Sequence, residues 1–380
     1  MQKIIIIGPA YPLRGGGITT FNERLAKEFN DRGDNCSIYS FSLQYPSFLF
    51  PGKSQYSTEP PPKDLQIHSV INSINPLNWI KIGNKVKNER PDIVVVRYWL
   101  PFMGAALGTI LKKVRKDRHT RIVCIADNII PHERRPGDKT LTKYFLKNCD
   151  AYITMSEKVM TDLHKFVTDK PVELVQHPLY DNFGDIVPKR EAREKLRIKN
   201  EEPIILFFGF IRKYKGLDIL LDALKILKEG QKSEIQNLKL LIAGEFYEDE
   251  KPYLEQIKRL GLNNDVILRS DFVPDREVKY YLCAADAVIQ PYRNATQSGV
   301  TPLAYHFEKP MIVTNVGGLP ALVPHEKSGL VAEPTAQSLA NAILRFYQLG
   351  ENYFLPHLRS EKKKYSWGNL VNAIKTVSKK

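Results

Sequence analysis

A repeated alternation constrains this chain more than any other feature. Short β-branched or apolar runs each break at a glycine or polar turn and pass into a stretch of helical period, and the pattern restarts midway. Ile4 to Ile7 leads to Gly8 and then Gly15-Gly16-Gly17, after which Ile18, Phe21, Leu25 and Phe29 mark one helical stripe. Residues 36–43, 92–97, 120–126, 151–155 and 172–176 read as further strands, with helices over 76–89, 101–116 and from Glu157 behind a capping Ser156. The second half repeats this with strands at 203–208, 238–243, 266–268, 284–289 and 310–314, and helices at 217–227, through Leu282, from Val300, and over 339–349 and 358–380. Uninterrupted apolar runs are buried on both faces, and strands that alternate with helices build parallel sheets. Residues 45–64, rich in Pro, Ser and Tyr, read as a long surface loop.

At 380 residues the chain suits two domains. The boundary falls within 180–200, which carries Pro188 and a charged helix around 190–196. The first apolar run is too short for a secretory signal. The longest uncharged stretch, 98–111, falls short of a membrane span and reads as a core helix or an interfacial one trailed by basic residues 112–118. Cys36, Cys124, Cys149 and Cys283 show no CxxC spacing, which disfavours a disulfide framework or a zinc site and fits a reducing compartment. A formal charge of +14 spread over both halves fits an anionic membrane surface at least as well as nucleic acid, which favours a concentrated basic stripe.

Open α/β sheets bind ligands beyond the carboxyl ends of their strands. In the second half those ends deliver Gly209, Arg212 and Lys215, Gly244, Val273, and the loop Thr296-Gln297-Ser298-Gly299-Val300, with Thr296 or Ser298 as the expected N-cap. Two cations, glycine turns and a helix start describe a diphosphate site. No DxD triplet is present to hold a divalent ion, so Arg212, Lys215 and backbone amides would meet the charge of a departing diphosphate. In the first half the corresponding positions are Arg14, Gly16, Gly17, Asp127, Asn128 and His132, the last either touching substrate or holding its loop. The first loop does not match GxGxxG and no acidic residue closes strand 36–43, so a nicotinamide cofactor is disfavoured.

Several of these motifs occur together in one family. Gly16-Gly17, Arg212 to Lys215-Gly216, Phe272-Val273-Pro274, Val316-Gly317-Gly318-Leu319-Pro320, Ser328-Gly329-Leu330-Val331 and Ser366-Trp367 resemble the GT-B nucleotide-sugar transferases of glycosyltransferase family 4, a retaining, metal-independent class. The resemblance implies two Rossmann-like parallel-sheet domains facing across a cleft. An acceptor-binding domain would span 1–185, a nucleotide-sugar-binding domain 186–359, and a helix at about 360–380 would cross back to the first. It implies transfer of a hexosyl unit from a UDP- or GDP-sugar to a glycan or glycolipid acceptor, with no cofactor beyond the donor, no metal and no nucleic acid. The expected location is cytoplasmic, with peripheral contact at the inner face of the plasma membrane. Asp127, His132, Arg212 and Lys215 would be catalytic.

The chain also departs from the family pattern. The two usual glutamates fall on Ala295 and Leu303, the histidine after the fifth strand falls on Asp127, and the arginine expected after the glycine falls on Phe210. A sugar-nucleotide-binding protein without catalysis therefore stands as the alternative, with a basic nucleic-acid binder behind it.

Overall fold

The computed structural model describes residues 1–15, 17–46, 54–131, 135–199, 201–230, 235, 237–295 and 298–379. They divide into two compact units, Met1–Pro178 with Ser366–Lys380, and Leu179–Tyr365. The chain therefore changes unit several residues before the expected boundary at 185, and the returning piece begins at Ser366 rather than about 360.

The first unit is built on a sheet of β1 (Lys3–Ile7), β2 (Asn35–Leu43), β3 (Gln66–Asn72), β4 (Ile93–Tyr98), β5 (Arg121–Ala126), β6 (Ala151–Thr154) and β7 (Val172–Leu174). All pairings are parallel, in the order β3-β2-β1-β4-β5-β6-β7. Its helices are α1 (Ile18–Asp31), α2 (Pro76–Glu89), α3 (Gly104–Val114), α4 (Asp138–Leu146) and α5 (Glu157–His164). Ile4 to Ile7 and Val94 to Val96 are fully buried, as strands covered on both faces must be. The α1 stripe of Phe21, Leu25 and Phe29 is buried as its period demands.

The second unit has β8 (Ile204–Phe208), β9 (Lys239–Ala243), β10 (Val266–Arg269), β11 (Ala287–Gln290), β12 (Met311–Thr314) and β13 (Gly329–Ala332), again all parallel, in the order β10-β9-β8-β11-β12-β13. Its helices are α6 (Lys189–Leu196), α7 (Leu217–Glu229), α8 (Lys251–Arg259), α9 (Asp275–Ala284), α10 (Val300–His306), α11 (Leu319–Leu322), α12 (Ala336–Leu349) and α13 (Glu351–Glu361). The last helix, α14 (Trp367–Val377), belongs to the first unit, where it packs against α1 and β6.

Four expectations need correction. The single helix expected over 358–380 is two: α13 ends in a 3-10 turn at Lys362–Lys364, and α14 restarts after Ser366, whose hydroxyl accepts from the Gly368 amide at 3.1 Å. Strands β3 and β13 and helices α4, α8 and α11 add elements that local pattern did not give. The stretch 98–111 is core: Met103, Leu107, Ile110 and Leu111 are fully buried, so it does not lie on a membrane. The N-cap of α10 is Gly299 rather than Ser298, although the Ser298 hydroxyl accepts from the Val300 amide at 3.2 Å; Thr296 lies outside the described residues.

Each sheet reverses its winding at one place, between β1 and β4 in the first unit and between β8 and β11 in the second. Crossovers leave these neighbours on opposite faces, which opens a crevice at their carboxyl ends.

Candidate active site

At the second sheet's reversal, three loops are held together by close backbone approach. Gly209 has φ 91°, and a Cβ on Gly244, whose φ is 143°, would stand 2.3 Å from the Gly209 carbonyl. Gly216 (φ 68°) lets the turn after β8 pass Pro291, where a Cβ would come 2.0 Å from the carbonyl oxygen. No L side chain fits at these contacts, so the glycines bring the ends of β8, β9 and β11 to one point. Gly317, beyond β12, lies against Ala295 in the same way, with 1.7 Å from a Cβ to the Ala295 oxygen.

Lys215 projects into this convergence. A Cβ on Gly209 would lie 3.3 Å from its ammonium and 3.8 Å from Val300, and the Tyr292 ring lies 5.7 Å from the charge. Only 9% of Lys215 is exposed. Among the described residues its ammonium has no carboxylate or hydrogen-bond acceptor. Burial first, and the neighbouring Arg212 charge second, push its pKa down to about 7. Arg212 is exposed and sits over the Tyr247 ring at 5.1 Å, with Phe210 stacked on that ring at 4.1 Å. Two cations thus share one glycine-lined corner, and among the described residues neither is paired with a carboxylate.

That arrangement carries a measurable signature. The unfolded lysine holds its proton up to about 10.5 and the folded one only up to about 7, so between those values the unfolded state binds more protons. Stability of the unliganded protein should therefore rise with pH across that window. Urea unfolding followed at several pH values would show the trend, and a flat profile would contradict it.

The other candidates in this unit divide. Ser298 is buried and its hydroxyl is engaged, donating to Gln290 Oε1 at 2.6 Å while accepting from Val300. Gln290 in turn donates to Thr301 Oγ1 at 3.1 Å, so Ser298 supports the loop from below rather than presenting a free hydroxyl. Gly299 and Val300 lie at the start of α10, whereas Val273 is half-buried beyond β10, two strands from the reversal. Ala295 and Leu303 are buried, at 3% and 6% exposure, and add no polar group. Thr296 and Gln297 lie outside the described residues.

At the first sheet's reversal the central group is one that pattern reading passed over. Arg97, on β4, is buried, and its Nε donates to Asp127 Oδ2 at 2.7 Å while Nη2 donates to Oδ1. Its guanidinium lies 3.9 Å from the Phe21 ring centroid, and Phe21 packs against Trp367 and His177. Burial raises the Asp127 carboxyl above its usual range and Arg97 opposes that shift; a bidentate partner keeps the group a carboxylate. Asp127 is therefore committed on both oxygens, which suits a positioning role better than proton transfer. His177 is pushed down to about 4, chiefly by burial and further by the Arg97 charge, so it stays neutral near pH 7. Among the described residues Arg97 Nη1 and Asn22 Oδ1, and Thr154 Oγ1 on β6, are buried without partners.

The first loop is tied down beside this cluster. The Arg14 amide donates to the Gln55 carbonyl at 2.9 Å, Leu13 bridges Tyr56, and the Tyr11 amide donates to Glu23 Oε1 at 2.8 Å. Gly17 caps α1 at φ 53° and is exposed, and Asn128 is half-buried after β5. Gly16 and His132 lie outside the described residues. The four cysteines are buried and unpaired, and among the described residues no group of three or more His, Cys, Asp or Glu is placed to hold a metal ion.

Two parallel-sheet units, each opening a crevice where its winding reverses, make the GT-B architecture of glycosyltransferases. The HepE protein of Anabaena, solved in complex with UDP and glucose, matches with a TM-score of 0.73 over 100% of both chains at 17% identity, a likeness of fold. Residues 15–179 match the family model Glycosyltransferase Family 4, and residues 188–360 match Glycosyl transferases group 1. The chain is a glycosyltransferase of the family 4 type. It is 25% identical to an uncharacterised glycosyltransferase of Methanocaldococcus jannaschii, over 99% of this chain and 98% of that protein. It is 24% identical to O-antigen chain mannosyltransferase C of Escherichia coli, over 90% of this chain and 88% of the other.

Proposed function

We propose that this glycosyltransferase moves a hexosyl unit from a UDP- or GDP-sugar to an acceptor hydroxyl with retention, the acceptor being a lipid-linked or surface-polysaccharide glycan. The observation that carries the donor assignment is the buried Lys215 ammonium, unpaired among the described residues and set with Arg212 in a glycine-lined corner at the reversal of the second sheet. A buried cation without a counter-ion is costly, and a diphosphate supplies that counter-ion. The UDP bound to HepE supports a nucleotide donor, and the E. coli mannosyltransferase supports a surface-glycan product.

In this reading Lys215, Arg212 and the amides around Gly209, Gly299 and Val300 hold the phosphates, with Gly244 and Val273 on the nucleotide side. As the bond from the anomeric carbon to the phosphate oxygen breaks, charge gathers on the diphosphate and the two cations meet it without a metal. The acceptor oxygen bonds to the anomeric carbon from the same face, and its proton passes to the departing phosphate oxygen. Arg14, Gly17 and Asn128 line the acceptor side, and the Arg97–Asp127 pair fixes that edge. The site of action is the cytoplasmic side of a membrane.

Thermal melts with a panel of nucleoside diphosphates in the presence of a chelator test the donor class. UDP or GDP at 100 times its dissociation constant should add about 2.7 kcal/mol of stability. No shift with either, or a shift lost on chelation, would overturn the assignment. A nucleotide sugar is a phosphate diester whose charge is constant near neutrality, so the pH dependence of its binding belongs to the protein. Bound phosphate should hold the proton on Lys215, and affinity should weaken above about pH 7, approaching tenfold per unit. Calorimetric titration at stepped pH measures this.

The second reading, a sugar-nucleotide-binding protein without transfer, draws on Ala295 and Leu303, which leave the donor loop without its carboxylates. It predicts the nucleotide shift but no turnover with any glycan acceptor.

A further inference from the structure

Among the described residues the large exposed apolar side chains are scattered, with one exception. Ile74, Leu77 and Ile80 are 50%, 78% and 38% exposed and fall within seven residues at the start of α2. Among the described residues no other two large exposed apolar side chains lie within ten positions of each other. Single exposed leucines need no explanation, but three on one short segment do.

The segment is not a loose end. Asn75 caps α2 by accepting from the Leu77 and Asn78 amides, and Asn78 Nδ2 donates to the Val70 carbonyl at 2.9 Å. The Asn72 amide donates to Asn78 Oδ1 at 2.9 Å, and the half-buried Trp79 donates its indole N–H to the Asn72 carbonyl at 2.7 Å. These bonds anchor the helix start to edge strand β3, so its apolar residues are held outward by structure.

Charge identifies the occupant. Lys81 follows Leu77 by one turn on the outer face, and Lys85 follows Lys81 at its flank, with its ammonium 5.3 Å from the Tyr39 ring centroid; both are exposed. From Pro76 to Asn88 the helix carries no acidic residue, and Glu89 is already paired with Lys3. At Gly83, where a Cβ would meet Lys113 Cβ at 2.7 Å, α2 closes on α3, whose tail exposes Lys112 and, in the turn that follows, Lys116; Arg115 is engaged elsewhere, donating to the Lys147 carbonyl at 2.7 Å and paired with Asp150. No helix among the described residues is long and apolar enough to cross a membrane.

We infer that the start of α2 is a peripheral docking surface for an anionic lipid bilayer: Ile74, Leu77 and Ile80 enter the headgroup boundary while Lys81, Lys85 and the α3 tail face anionic headgroups. An interfacial helix works in this way, with shallow apolar insertion strengthened by basic residues beside it. The surface shares no residue with the donor corner, and vesicle binding is measured without nucleotide, so the two proposals fail separately.

The test is co-sedimentation of the full chain with vesicles of phosphatidylcholine alone or mixed with phosphatidylglycerol. The wild-type protein should pellet with the mixed vesicles, weakly with the neutral ones, and less as salt screens the attraction. Lys81→Gln with Lys85→Gln should weaken binding about 30-fold, from the loss of two favourable charges. Leu77→Asp with Ile80→Asp should abolish it, while both pairs keep the wild-type melting temperature because the altered side chains are exposed. Failure to pellet with the mixed vesicles overturns the inference, as does equal pelleting by the variants. Dissociation of a dimer by Leu77→Asp, without any vesicle binding by the parent, would show instead that the face meets a second copy.

Discussion

Replacing Lys215 with methionine should remove nearly all transfer activity and leave the unliganded protein at least as stable as before. The two effects have opposite signs because one feature causes both. Lys215 places a charge among Gly209, Val300 and the Tyr292 ring with no counter-ion among the described residues, which costs the folded state until an anion arrives. Methionine has comparable length and no charge, so the cost disappears and packing is kept. If Lys215 holds the leaving diphosphate as proposed, the same change deletes a charge-assisted donor to it, and kcat/KM should fall about 10²–10³-fold. The stabilisation that UDP or GDP gives the wild-type protein should shrink with it. Melting curves with and without nucleotide, beside initial rates, separate the cases: a variant that melts lower and keeps its nucleotide shift would show Lys215 to be a packing residue.

Much of the scaffold could be read from the chain because parallel sheets leave a strong local trace. Ile4 to Ile7 and Val94 to Val96 have no alternation because both faces are covered, and the glycines at 209, 216, 244 and 317 sit where strand ends approach one another's backbone. The convergence of the ends of β8, β9 and β11 was therefore legible, and so was the placing of Arg212 and Lys215 beside it. The partners of individual polar groups were less so, since they depend on contacts far apart in sequence. Ser298 looked available for a ligand, but Gln290, eight residues back, takes its hydroxyl. Asp127 looked like a free carboxylate beyond a strand, but Arg97 holds both its oxygens. A signal for that pair was present: a charged residue inside the buried run Ile93–Tyr98 has to find a counter-ion. Edge strand β3 lacked a fully apolar run because only Ile71 in it is buried, and the break before α14 depends on one capping serine.

Removing one member of the Arg97–Asp127 pair should cost far more than removing both. Asp127→Ala leaves the Arg97 guanidinium, with a side chain only 3% exposed, against the Phe21 ring with one N–H already unpartnered at Nη1. An uncompensated buried charge of this kind costs about 3–5 kcal/mol. Arg97→Met combined with Asp127→Leu replaces the pair by apolar groups of similar bulk and should return to within about 1 kcal/mol of the wild-type protein, or exceed it. The measurement is simple to localise, because the three tryptophans, Trp79, Trp99 and Trp367, all belong to the first unit, so urea unfolding read by their fluorescence reports that unit. Comparison with activity then assigns Asp127. If the single variant loses rate but not stability, the carboxylate acts directly on the acceptor. If stability falls in the single variant and returns in the double, while acceptor KM rises more than kcat falls, Asp127 serves by fixing Arg97 and the edge of the first sheet's crevice.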